Sequence, residues 1–89
     1  MFNFKFGDIV VSNAGHDKGE VFIILKATSE YVYLMDGKHR TFEKPKKKNI
    51  KHISPLGPES KSLQEKIDAN KPIINEDIKR AIKLLKQKL

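Results

Sequence analysis

Between Gly7 and Ile53 the chain alternates short apolar runs with turn signals, and that spacing leaves room for little except a small sheet. Ile9, Val10 and Val11 are β-branched and suit a pleated strand. Asn13 to Gly19 reads as a loop, with Gly15 and Gly19 supplying backbone angles that other residues resist. Val21 to Leu25 is continuously apolar, the mark of a strand buried on both faces or strongly curved. Thr28-Ser29-Glu30 makes a short turn. From Tyr31 to Met35, Val32 and Leu34 alternate with Tyr31 and Tyr33, so the aliphatic pair is expected inside. Asp36-Gly37 is a two-residue hairpin signal that leads to a short fourth strand at about His39 to Phe42. Pro45 breaks pairing. A fifth strand runs from Asn49 to Ile53 and stops at Pro55. Short strands joined by tight turns predict a closed or nearly closed barrel, because closure removes exposed edges. Upstream, Phe2, Phe4 and Phe6 alternate with polar residues, as in an extended lead-in whose rings cover one end of the core.

After Pro55, Gly57 and Pro58 the period changes from two to that of a helix. Ser62-Leu63-Gln64-Glu65 fits a capping box opening a helix to about Ala69. Asn70-Lys71-Pro72 ends it. Asn75 reads as the N-cap of a second helix, with Glu76 and Asp77 at its positive end. Ile78, Ala81, Ile82, Leu85 and Leu89 fall on one face, and Lys79, Arg80, Lys83, Lys86 and Lys88 lie mostly off it. The expected organisation is a barrel over 1–55, a linker over 56–62 and a helical extension over 63–89. The fold class is thus mainly β with C-terminal α. At 89 residues this is one domain with a modest core.

Charge is spread unevenly along the chain. The net value is +7. Residues 1–37 are net negative, whereas residues 38–53 carry seven Lys and Arg against Glu43 alone. Lys38, Arg40, Lys44, Lys46, Lys47, Lys48 and Lys51 therefore form the expected polyanion-facing surface. Lys44 to Lys48 contains Pro45 and is expected to be a loop that follows a phosphate backbone. Arg40 is suited to fork a phosphate or stack on a base. His16, Lys18, His39 and His52 complete the candidate set for binding RNA.

Residues 9 to 35 resemble a KOW motif, the strand-loop-strand unit of a family of RNA-binding proteins. The resemblance is carried by Ile9-Val10-Val11, the loop Gly15-His16-Asp17-Lys18-Gly19 and the run Val21 to Leu25. Asn49-Ile50-Lys51-His52-Ile53 is similar to the barrel end in the ribosomal branch that includes eukaryotic- and archaeal-type large-subunit proteins fourteen, six and twenty-seven. Asn75 to Leu85 is similar to the tail of small bacterial KOW proteins of that branch. The resemblance implies an SH3-like five-stranded barrel in a ribosomal or ribosome-associated protein. It also implies ribosomal RNA as partner and ribosomal proteins nearby; a cytoplasmic place is expected instead from the lack of a membrane-length apolar run and of a signal-peptide core at the N-terminus. The competing expectation is an SH3-like protein-interaction module, either a peptide binder in which Tyr31, Tyr33 and Phe42 line a groove or a transcription or translation accessory factor.

Other chemistries have little to stand on. Without cysteine there is neither a disulfide framework nor a thiolate metal site. The three histidines lack compact ligand spacing, so no metal is expected. The glycine-bracketed loop lacks the terminal Gly-Lys-Ser/Thr of a phosphate loop. The serines have no nucleophile elbow, and the acids do not converge in sequence. No catalytic residue, cofactor or small-molecule substrate is expected. No apolar run approaches the roughly 20 residues that span a bilayer.

Overall fold

The computed structural model describes residues 4–57 and 60–88. Five antiparallel strands, β1 (Ile9–Ser12), β2 (Val21–Ala27), β3 (Tyr31–Met35), β4 (Lys46–Asn49) and β5 (Ile53–Gly57), form one sheet in the order β4-β3-β2-β1-β5. Two helices follow, α1 (Lys61–Asp68) and α2 (Asn75–Lys88). β4 and β5 sit at opposite edges, yet only a 3-10 turn, Ile50–His52, joins them. Such a turn advances about 6 Å, whereas the edges of a flat five-stranded sheet lie about 19 Å apart. The sheet must therefore curl. Register shifts between Ile9 and Val10 and between Ile24 and Lys26 mark the bulges that bend it.

Curling gives the sheet two buried faces. Val10, Phe22, Ile24, Val32, Leu34 and Ile53 fill the concave side. Ile9, Val21, Ile23 and Met35 pack on the other side against Leu63, Ile78, Ala81 and Ile82 of the helices. This accounts for the unbroken apolar run of β2: Phe22 and Ile24 serve one face, Val21 and Ile23 the other. Val32 and Leu34 are fully buried, as their alternation with tyrosine requires. The stripe on α2 docks within the chain, with Ile78, Ala81 and Ile82 buried and Leu85 packed at the margin. Leu89 and Phe2 lie outside the described residues. Phe4 and Phe6 cover core margins as expected, but on different faces, and Phe6 packs its ring on Phe42 at 6.4 Å.

Several local expectations need correction. Residues His39 to Phe42 are not a strand; the fourth strand is the lysine run itself, paired through Leu34↔Lys46 and Tyr33↔Lys47. Asp36-Gly37 does not make a two-residue hairpin. The Asp36 carboxylate accepts the N–H groups of Lys38, His39 and Arg40, which satisfies the backbone of a longer loop. Gly37 has φ +81°, and a Cβ there would meet Asn75 O at 2.5 Å and Lys79 N at 2.6 Å, so this loop is seated on α2. Asn49 to Ile53 is split: Asn49 ends β4, three residues turn, and Ile53 opens β5. Pro55 does not stop that strand but lies within it, opposite Val10, on an edge where its missing donor costs no ladder bond.

Both helix starts are also capped differently from the expectation. Ser60, not Ser62, caps α1, accepting the Leu63 N–H. In α2, Asp77 reaches back to the Ile74 N–H at 2.9 Å, while Asn75 instead accepts the Phe42 N–H and ties the 36–45 loop to the helix.

Candidate nucleic-acid interface

The glycine-bracketed loop folds so that Asp17 turns inward. Gly19 N–H donates to Ser12 O and Glu20 N–H to Asp17 O, closing the loop on the end of β1. Asp17 is only 6% exposed. Its Oδ1 accepts from Ser12 Oγ at 2.7 Å and from Lys48 Nζ at 2.6 Å. Its Oδ2 meets the Lys46 ammonium at 2.7 Å as an ion pair. Lys48 also donates to Ala14 O at 2.7 Å, and its side chain is nearly buried. Burial opposes ionisation of Asp17. The bonds from Lys46, Lys48 and Ser12, with the Lys48 charge, outweigh it and hold the carboxyl well below its ordinary value of 3.8. The cluster fastens the loop after β1 to the β4 edge, across the curl of the sheet.

Strand alternation then decides the fate of the lysine run. Lys46 and Lys48 point to Asp17, and Lys47, between them, points the opposite way with Nζ 4.2 Å from the Tyr31 ring centre. Lys26 stands in the same relation to Tyr33, at 4.7 Å. Lys26, Tyr33 and Lys47 are cross-strand partners on three adjacent strands. Their face is the one the helices cover further along, since Met35 shares the parity of Tyr31 and Tyr33.

The remaining candidates are exposed. Lys38, His39 and Arg40 fan outward from the loop organised by Asp36, whose carboxyl burial disfavours but whose three backbone donors hold below its ordinary range. Lys44 follows them. His16 and Lys18 flank the buried Asp17, and Lys51 and His52 occupy the 3-10 turn. Asn13 N–H donates to His52 O, so the His16 loop and this turn are joined. Lys38, Arg40, Lys44 and Lys51 form no ion pair among the described residues.

Three lysines that the helical period had placed off the apolar stripe of α2 join Lys38. Lys79, Lys83 and Lys86 of α2 line, with Lys38, a cleft of about 460 Å³ floored by Val21, Phe22 and Ile82; Glu20 and Asp36 are its acids. Their spacing along one helix edge was visible in the sequence, but not the neighbour it faces. Phe42 packs on Phe6 and the helix-side core, leaving Tyr31 and Tyr33 to stand as a pair. Among the described residues no three His, Asp or Glu side chains converge, and no helix is long and apolar enough to cross a membrane. Compared with known proteins, the chain matches no family model and no curated relative.

Proposed function

We propose that this chain is an RNA-binding protein of KOW type, an SH3-like barrel with two docked helices acting in a ribosomal or ribosome-associated particle in the cytoplasm. The observation that carries the reading is the division of labour among its cations. Lys46 and Lys48 are held internally by Asp17. Lys38, Arg40, Lys44 and Lys51 remain exposed without ion-pair partners among the described residues, and Lys79, Lys83 and Lys86 add to them at the Lys38 cleft. Exposed cations of this kind, on a chain of net charge +7, are suited to phosphates, whose neutralisation releases counterions and gives affinity without reading sequence. Selectivity would come from RNA shape. Structured ribosomal RNA is the partner this arrangement fits, with ribosomal proteins as neighbours.

The peptide-module reading needs an aromatic groove of Tyr31, Tyr33 and Phe42. With Phe42 engaged by Phe6, that groove lacks its third ring. Crosslinking the protein in cells and sequencing what it holds tests the proposal. Enrichment of ribosomal RNA that disappears when Lys38, Arg40, Lys44 and Lys51 are changed to Gln is the expected result. Recovery of no RNA above background overturns it.

A further inference from the structure

The Tyr31 and Tyr33 face is not explained by phosphate binding. Two rings stand side by side on β3, one face of each turned to a lysine ammonium rather than to the core. Both are half-buried, which fixes the rings, while Lys26 and Lys47 above them are exposed. The helices pack on the Ile9, Val21, Ile23 and Met35 part of the same side and leave the tyrosine end uncovered. Aromatic rings fixed on a sheet, with cations beside them, present a π-face to a base and a charge to the phosphate that follows it.

We propose that Tyr31 and Tyr33, with Lys47 and Lys26, form a stacking platform for unpaired bases of single-stranded RNA. The proposal rests on the RNA reading above and deepens it. A cation over an exposed ring is held more weakly than a base stacked on it. An arriving base therefore displaces each ammonium, which swings to the adjoining phosphate. Two rings on alternate residues of one strand take two bases splayed from their own stack. A duplex, whose bases are already stacked and paired, finds only the cations. The site would thus select loops, bulges or single-stranded ends within a structured RNA.

The chain contains two tyrosines and no tryptophan, so its intrinsic emission reports on these two rings alone. The probe is an unlabelled oligouridylate of about twelve nucleotides, within the usual footprint of single-strand sites. A fully paired RNA duplex of similar charge serves as comparison, and anisotropy of labelled copies gives binding separately. The expected result is quenching of tyrosine emission by the single strand and not by the duplex. Changing Tyr31 and Tyr33 together to Leu should weaken single-strand binding by about thirtyfold or more and leave duplex binding unchanged. Changing both to Phe, which keeps the rings, should preserve it. The quench is read on the unaltered chain, so it does not depend on a variant folding. Binding of oligouridylate with no change in tyrosine emission overturns the platform and leaves the RNA reading standing. Failure of both RNAs to bind at low salt overturns the two together.

Discussion

Replacing Asp17 by Asn tests the fastening of the sheet most sharply. The substitution keeps shape and one acceptor but removes the charge that two ammonium groups face. Lys48 is the costly survivor: its side chain is 9% exposed, and with the carboxylate gone it faces only neutral oxygens, the amide oxygen and Ala14 O. Removing one member of a buried ion pair typically costs about 3–5 kcal/mol. Lys46, at 28% exposure, can turn to water, so the lower end, about 3 kcal/mol, is expected. A chain of this size has about 4–13 kcal/mol of stability in all. The loss should move the urea midpoint, followed by far-UV circular dichroism at pH 7, down by about 1–3 M. Lys46→Met should cost less than the Asn variant, because Lys48 and Ser12 still bond the Asp17 carboxylate. The pH dependence has a definite sign. Because the folded carboxyl is held below its ordinary 3.8, its contribution is fully present well above that value. It is lost as pH falls below 3.8 toward the depressed folded value. The gap between wild type and the Asn variant should therefore narrow on acidification. A midpoint shift under about half a molar at pH 7, or a gap that does not change with pH, would refute the reasoning.

Two other substitutions check the frame. Leu34→Ala, at a fully buried site on the concave face, should cost about 2–5 kcal/mol in the same urea assay, and a loss below about half that range's floor would misplace β3. Gly37→Ala should destabilise by more than about 1 kcal/mol, since it combines φ +81° with backbone atoms of α2 at 2.5 and 2.6 Å; a stability-neutral result would detach the 36–45 loop from the helix.

What the sequence made legible was what local pattern encodes. Val32 and Leu34 announced their burial by alternation, and Ile78, Ala81 and Ile82 announced a docking face by helical period. The lysine run did not announce a strand, because a polar segment beside a proline carries no period. It becomes one because every second lysine meets an acid far away in sequence, Asp17 lying 31 positions from Lys48. For the same reason, charge counting could not show that two of the seven cations, Lys46 and Lys48, are ion-paired with Asp17. Simple neutralisation of Lys46, Lys47 and Lys48 together, which charge alone would suggest as a binding test with the fold intact, is expected here to unfasten the sheet. Asp36-Gly37 misled differently: its turn chemistry was real, but the carboxylate directs its bonds to the next three backbone groups, and the glycine is needed against a helix that arrives later in the chain. The Lys38 cleft likewise depends on where α2 docks, which no spacing within α2 reveals.

If exposed cations bind RNA phosphates, RNA affinity must depend on salt. Affinity for a structured ribosomal RNA fragment would be measured by anisotropy across a salt series for the unaltered chain. The same series would be run for the variant with Lys38, Arg40, Lys44 and Lys51 changed to Gln, and for one with Lys79, Lys83 and Lys86 changed to Gln. All seven residues are exposed and form no ion pair among the described residues, so the variants should keep the urea midpoint. Affinity of the unaltered chain should fall steeply as salt rises. The slope should be smaller by up to about one unit for each phosphate that either variant no longer neutralises. Binding that is indifferent to salt, or unchanged in both folded variants, would contradict phosphate binding by these cations.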